Sequence, residues 1–101
     1  MADFGFSTEL TLAETERLAL LLEEMGEAQQ IIGKILRHGY ASKNPFYPDG
    51  ETNRELLTRE LGDVLVAIDF LTENGDVKMD DLEDRKRVKN HRIWDWLHYQ
   101  T

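Results

Sequence analysis

Apolar residues recur along this chain with a helical period in two long segments. The first carries a main stripe of Leu18, Leu21, Leu22, Met25, Ile32 and Leu36, and the second one of Leu57, Leu61, Val64, Ile68 and Leu71. Beside each runs a second, mixed stripe: Leu20, Glu24, Glu27 and Ile31 in the first, Leu56, Glu60, Asp63 and Ala67 in the second. Both follow i, i+4, i+7, i+11, so the acids are flanked by apolar residues on one helical face. No segment alternates for long with period two, and strands are not expected.

Start and stop signals bound three predicted helices, at 12–38, 53–74 and 81–98. Thr11 precedes Glu14, Thr52 precedes Glu55 and Asp80 precedes Glu83 by three residues, the spacing of an N-cap answered by an acid; the Asp80 pair is a looser form. Gly39 after Arg37-His38 and Asn74-Gly75 after Leu71 are stop signals. The short turn from Glu73 to Met79 is ordinary. The connection GYASKNPFYPDGE, about residues 39–51, holds both prolines, two glycines and three aromatics, and a connection of that length is more often functional than idle. The fold class expected is all-α: an antiparallel bundle of three main helices, completed by a second subunit, in a single domain spanning 1–101 with the first ten or so residues as an extended arm.

The two helical segments also repeat one another. Shifted by 36 positions, Glu24-Met25-Gly26-Glu27 lies on Glu60-Leu61-Gly62-Asp63. Each segment places two carboxylates three residues apart on one face, and if the mixed stripes face each other the four acids meet. Carboxylates so crowded repel one another unless protons or cations intervene, which points to a site for a hard divalent cation. A lone ExxE is usually solvated surface; two in identical apolar frames are not. Gly26 and Gly62 in the helix interiors suggest either close helix packing or room for a ligand.

Composition narrows the partners. The formal net charge is −8, which argues against a nucleic-acid polymer or an anionic membrane as partner. There is no cysteine, hence no disulfide and no thiolate metal site. No stretch approaches the roughly 18 apolar residues of a membrane span, and the first residues lack the pattern of a secretory signal. The expected location is the cytoplasm. No Gly-rich loop ending in Lys-Ser/Thr is present, which excludes a P-loop nucleotidase on pattern.

A cation held by Glu24, Glu27, Glu60 and Asp63 suits phosphoanhydride hydrolysis, with Mg²⁺ or Mn²⁺ as the natural occupants of an all-oxygen site. Glu23, Glu24 and Glu27 are the candidate catalytic acids, one of which accepts a proton from water. Arg54, at the start of the second helix, is placed to meet an anion. Five of the twelve basic residues fall at 85–92, either reaching phosphate or forming a solvated face. Trp94, Trp96 and Tyr99 read mainly as packing residues, while Phe46 and Tyr47 could touch a base or anchor their loop.

Glu23-Glu24-Met25-Gly26-Glu27 followed by Glu60-Leu61-Gly62-Asp63, in the wording ELGDVL, resembles the signature of the MazG-like, all-α nucleoside triphosphate pyrophosphohydrolases. The resemblance covers about residues 18–71. It implies Mg²⁺-dependent cleavage of a nucleoside or deoxynucleoside triphosphate between the α and β phosphates, with Glu24, Glu27, Glu60 and Asp63 as ligands and Glu23 as an additional acid. It implies a homodimer or homotetramer. It further implies substrate contacts from a Lys and an Asn four apart in the following helix near an aromatic, which Lys86, Asn90 and Trp94 match. Two other readings stand beside it: a non-catalytic helical interaction or oligomerisation module, and a pyrophosphohydrolase acting on a phosphoribosyl nucleotide.

Overall fold

The computed structural model describes residues 7–100. Among these residues are three α-helices: α1 (Leu12–His38), α2 (Asn53–Glu73) and α3 (Met79–Arg92), with a 3₁₀ turn at Ile93–Asp95. Among the described residues there is no strand, only an isolated bridge between Lys43 and Thr52. The expected all-α class is what is observed. Residues 7–10 lack regular structure, and the rest of the expected N-terminal arm lies outside the described residues.

The first two helices begin where their caps dictate. Thr11 accepts from the Glu14 amide at 3.0 Å while the Glu14 carboxylate accepts from the Thr11 amide at 2.8 Å. Thr52 and Glu55 repeat the box at both amides. Bonding to the Thr52 amide, then to its hydroxyl, holds the Glu55 carboxyl below the usual carboxylate range. α1 ends at Gly39, whose φ of 87° is left-handed and whose amide donates to the Ile35 carbonyl at 2.7 Å. Thr52→Ala is expected to destabilise the chain by about 1 kcal/mol, the usual cost of losing such a cap; urea unfolding followed at 222 nm checks it, and a cost near zero would show that the box is incidental.

The third helix departs from expectation. It starts at Met79 rather than 81, Asp80 caps nothing, and Lys78 at the N-cap makes no side-chain bond. The α-helix ends at Arg92, and the chain tightens into the 3₁₀ turn before Trp96 instead of running on to 98.

Among the described residues, extensive packing is confined to the pair α1 and α2, while α3 continues into its own 3₁₀ turn. One chain therefore supplies a two-helix hairpin and a projecting third helix, not a closed three-helix bundle. Arg17 ties α1 to the turn after α2 through two bonds to Asp76, at 2.6 and 2.9 Å. That partner holds the Asp76 carboxyl below its ordinary range.

The seam between α1 and α2 is thin. Ala28, Ile31, Ala67 and Leu71 are its buried apolar residues, with Asn53 the buried polar one. Ile31 and Ala67 belong to the mixed, acid-bearing stripes, so those stripes face each other. Much of the main apolar stripes points outward: Leu18, Leu22, Met25, Ile32 and Leu36 on α1 and Leu61 on α2 are exposed. Gly26 and Gly62 do not mediate the close approach of α1 and α2, since a methyl group built on either meets nothing within 4 Å. The small residues in the seam are Ala28 and Ala67.

Candidate metal centre

With the mixed stripes face to face in an antiparallel pair, the repeated acids meet crosswise, Glu24 beside Asp63 and Glu27 beside Glu60. Each of Glu24, Glu27, Glu60 and Asp63 offers a carboxylate oxygen, and these oxygens all lie within 4.8 Å of one another. Both helices are fixed by the α1–α2 packing, so the convergence is a property of rigid elements rather than of a loop.

Exposed acidic groups cluster on many surfaces, so the environment decides what this one means. Glu24 and Glu60 are half-buried. The Oε2 atom of each is shut off from solvent and has no hydrogen-bond partner among the described residues. A buried polar atom without a partner is costly and calls for explanation by an ion or water. The carboxyl groups register the same strain. Glu24 is pushed above its ordinary range first by desolvation, then by the charges of Asp63, Glu23 and Glu60, with Glu27 partly opposing. Glu60 is pushed up by desolvation, then by Glu27 and Asp63, with Arg59 partly opposing. A divalent cation reverses both effects, because it supplies the missing partner and the countercharge. Four oxygen donors without nitrogen or sulfur suit a hard cation. The residues present therefore fit a metal ion.

The remaining expected site residues are distributed as follows. Glu23 is exposed on α1, outside the four-acid cluster but close enough for its charge to act on Glu24. Arg54 is not at the acids: its guanidinium lies over the Tyr40 ring at 4.5 Å and its amide donates to the Tyr40 carbonyl, so it fastens the α1–α2 connection. Lys86 and Asn90 line a shallow hollow on α3 with Arg87, Lys89 and Ile93, and Lys86 pairs with Glu83 at 3.5 Å. Trp94 is half exposed in the 3₁₀ turn. Because α3 is not packed extensively on the hairpin, a single chain does not bring Lys86, Asn90 and Trp94 to the acids.

Sequence reasoning passed over a cavity of about 590 Å³ at the α1–α2 connection, lined by Lys34, Arg37, Lys43 and Phe46 among others. A signal for part of it was present. Lys34 follows Glu27 by seven residues and His38 follows it by eleven, so both continue the acid-bearing stripe. The contribution of the connection could not be read before its path was known.

Compared with protein families, curated proteins and solved structures, the chain finds no match in any of the three. The functional reading therefore rests on the residues themselves.

Proposed function

We propose that this chain is a MazG-like pyrophosphohydrolase that cleaves nucleoside or deoxynucleoside triphosphates to monophosphate and pyrophosphate. The observation that carries the reading is the convergence of Glu24, Glu27, Glu60 and Asp63 within 4.8 Å, with two buried, unpartnered carboxylate oxygens. The family resemblance at 23–27 and 60–65 supplies the reaction and the α–β bond as the point of cleavage.

In this proposal the four acids hold Mg²⁺, with Mn²⁺ as a substitute. Bound there, the ion supplies positive charge for phosphate oxygens and lowers the pKa of water. The chain's own residues do the rest. Glu24 and Glu60 enter as carboxylates, and their unpartnered oxygens are set for a cation before any ligand arrives. One of Glu23, Glu24 and Glu27 accepts the proton that leaves the attacking water. Ala28, Ile31 and Ala67 keep the two helices in contact beside the acids, which fixes the oxygen separations.

A second copy of the chain completes the bundle in this reading. Leu22, Leu36 and Leu65 are 75%, 82% and 63% exposed on the hairpin, an apolar surface that a helical partner would cover. A homodimer or homotetramer formed there can also bring α3 of one subunit, with Lys86, Asn90 and Trp94, to the acids of another. No helix among the described residues is long and apolar enough to cross a membrane. The role that fits is clearing unwanted nucleotides from a cytoplasmic pool.

The decisive experiment is a panel of nucleoside triphosphates, deoxynucleoside triphosphates and phosphoribosyl nucleotides incubated with Mg²⁺ and read by pyrophosphate release. Release from triphosphates, abolished by EDTA, is expected. Release only from a phosphoribosyl nucleotide would transfer the site to that substrate. Silence across the panel, with no Mg²⁺ bound in calorimetry, would leave an interaction module.

A further inference from the structure

The cavity at the α1–α2 connection is built from both helix ends and the loop between them. Lys34, Arg37 and His38 come from the last turns of α1, Ser42 to Phe46 from the connection, and Asn53 and Leu56 from the first turn and a half of α2. The loop is pinned over it. The Asn53 amide donates to the Ser42 carbonyl at 2.9 Å, the Asn53 side chain donates to the Gly39 carbonyl at 3.1 Å, and Lys43 is bridged to Thr52. Asn53 is itself buried, so the floor of the cavity is a fixed part of the fold.

Its charge runs against that of the molecule. In a chain of net charge −8, no aspartate or glutamate among the described residues lines this cavity, while Lys34, Arg37 and Lys43 do. Among the described residues the ion pairs are Arg17–Asp76, Arg59–Glu51, Lys86–Glu83 and Arg87–Asp84, so none of these three cations is paired. Lys43 lies near enough to Glu55 for its charge to act on that carboxyl, but Lys34, Arg37 and Lys43 together leave a surplus of positive charge at the cavity, which an anion relieves. Phe46, 86% exposed at the same cavity, adds an apolar wall.

The position relative to the acids sets the ligand. Lys34 is seven residues beyond Glu27, and Asn53 seven residues before Glu60, on the same helical faces. At 1.5 Å per residue that is about 10 Å along the hairpin axis, with Ile31 and Leu56 in the intervening layer. A lysine or arginine side chain leaning back along the helix shortens the gap further. One elongated ligand lying along the hairpin can therefore reach from the acids at one end to the cations at the other.

We propose that this cavity is an anion site for the phosphate end of an elongated polyphosphate ligand, with Lys34, Arg37 and Lys43 contacting its oxygens. The ligand's other end rests at the acid cluster under the function proposed above; the anion site stands on its own observations. Inorganic tripolyphosphate in EDTA is the probe, titrated calorimetrically into the full chain, so that no divalent cation contributes. Binding is expected in the parent and in the Glu24→Gln/Asp63→Asn variant. It should weaken at least tenfold in Lys34→Gln/Arg37→Gln/Lys43→Gln, with Lys43→Gln alone giving a partial loss and all variants keeping their helical circular dichroism. Equal binding by parent and triple variant, or none in the parent, overturns the site. Orthophosphate binding as tightly as tripolyphosphate overturns the assignment to a polyphosphate end and marks a single-phosphate effector site. If the parent releases no pyrophosphate yet shows tripolyphosphate binding that depends on Lys34, Arg37 and Lys43, the proposed hydrolysis fails and the anion site survives. If both hold, the triple variant should raise KM for the triphosphate while leaving the Mg²⁺ affinity unchanged.

Discussion

Glu24→Gln combined with Asp63→Asn is expected to abolish Mg²⁺ binding and to reduce pyrophosphate release by about 10²-fold or more, the lower range for losing a positioned acid–base group. The pair takes one ligand from each helix, and the Asp63 charge is the largest single charge acting on Glu24. Amide replacements keep the shape of both side chains and remove only the anionic charge that a hard cation requires. Loss of activity through misfolding would lower the melting temperature. The opposite is expected in EDTA, because the substitution removes two charges from a cluster whose Glu24 and Glu60 oxygens are unpartnered. Activity lost while metal-free stability rises is the signature of a site, and a merely structural ion cluster would not give it. Retained pyrophosphate release in the double variant would remove the four acids from the mechanism. Calorimetry with Mg²⁺ and a thermal melt in EDTA, on the same preparation, read both halves.

What was legible in the sequence follows from where the physics is local. Thr11 with Glu14 and Thr52 with Glu55 are three-residue devices, and the helices they open begin at 12 and 53 as expected. Gly39 ends α1 because a left-handed residue is needed there, and its position was equally plain. The Asp80–Glu83 pair has the same spacing but no cap forms, since the helix has already started at Met79 and Asp80 sits within its first turn. The four acids were legible because repetition and helical register are both sequence properties. Which stripe faces inward was harder. The main stripes are more apolar, yet the seam beside the acids is made by Ile31 and Ala67 of the mixed stripes with Ala28 next to them, and of the main stripes only Leu71 is buried among the described residues. That choice leaves Leu22, Leu36 and Leu65 in the open, and hydrophobicity alone does not distinguish a face meant for the same chain from one meant for another. The basic cavity joins residues from α1, the connection and α2, so its composition became readable only with the loop folded back.

Without divalent cation, the protein is expected to lose stability as pH rises above about 4.5, and Mg²⁺ is expected to restore it. Glu24 and Glu60 both have carboxyl groups raised above the ordinary 4.5 in the folded chain, in each case first by desolvation. A group raised on folding binds its proton more tightly in the native state, so its contribution is complete below the unfolded value and is lost as pH passes through the folded one. Asp76 and Glu55 act in the opposite sense: their depressed values give stability that disappears as pH falls through and below the carboxylate range. The two effects divide the axis, with the acid cluster governing the side from 4.5 toward neutrality. Melting temperatures in EDTA should therefore decline across that window. Glu24→Gln/Glu60→Gln should flatten the decline, whereas the exposed control Glu16→Gln/Glu73→Gln, with the same change in net charge, should not. Mg²⁺ binds the ionised form, so the rise it produces grows with pH. At a hundredfold excess over Kd the gain amounts to about 2.7 kcal/mol by mass action. Equal slopes in the cluster variant and the control would mean that the decline reflects general charge repulsion. A Mg²⁺ effect of the same size at pH 4.5 and 7.5 would place the ion somewhere other than on these four carboxylates.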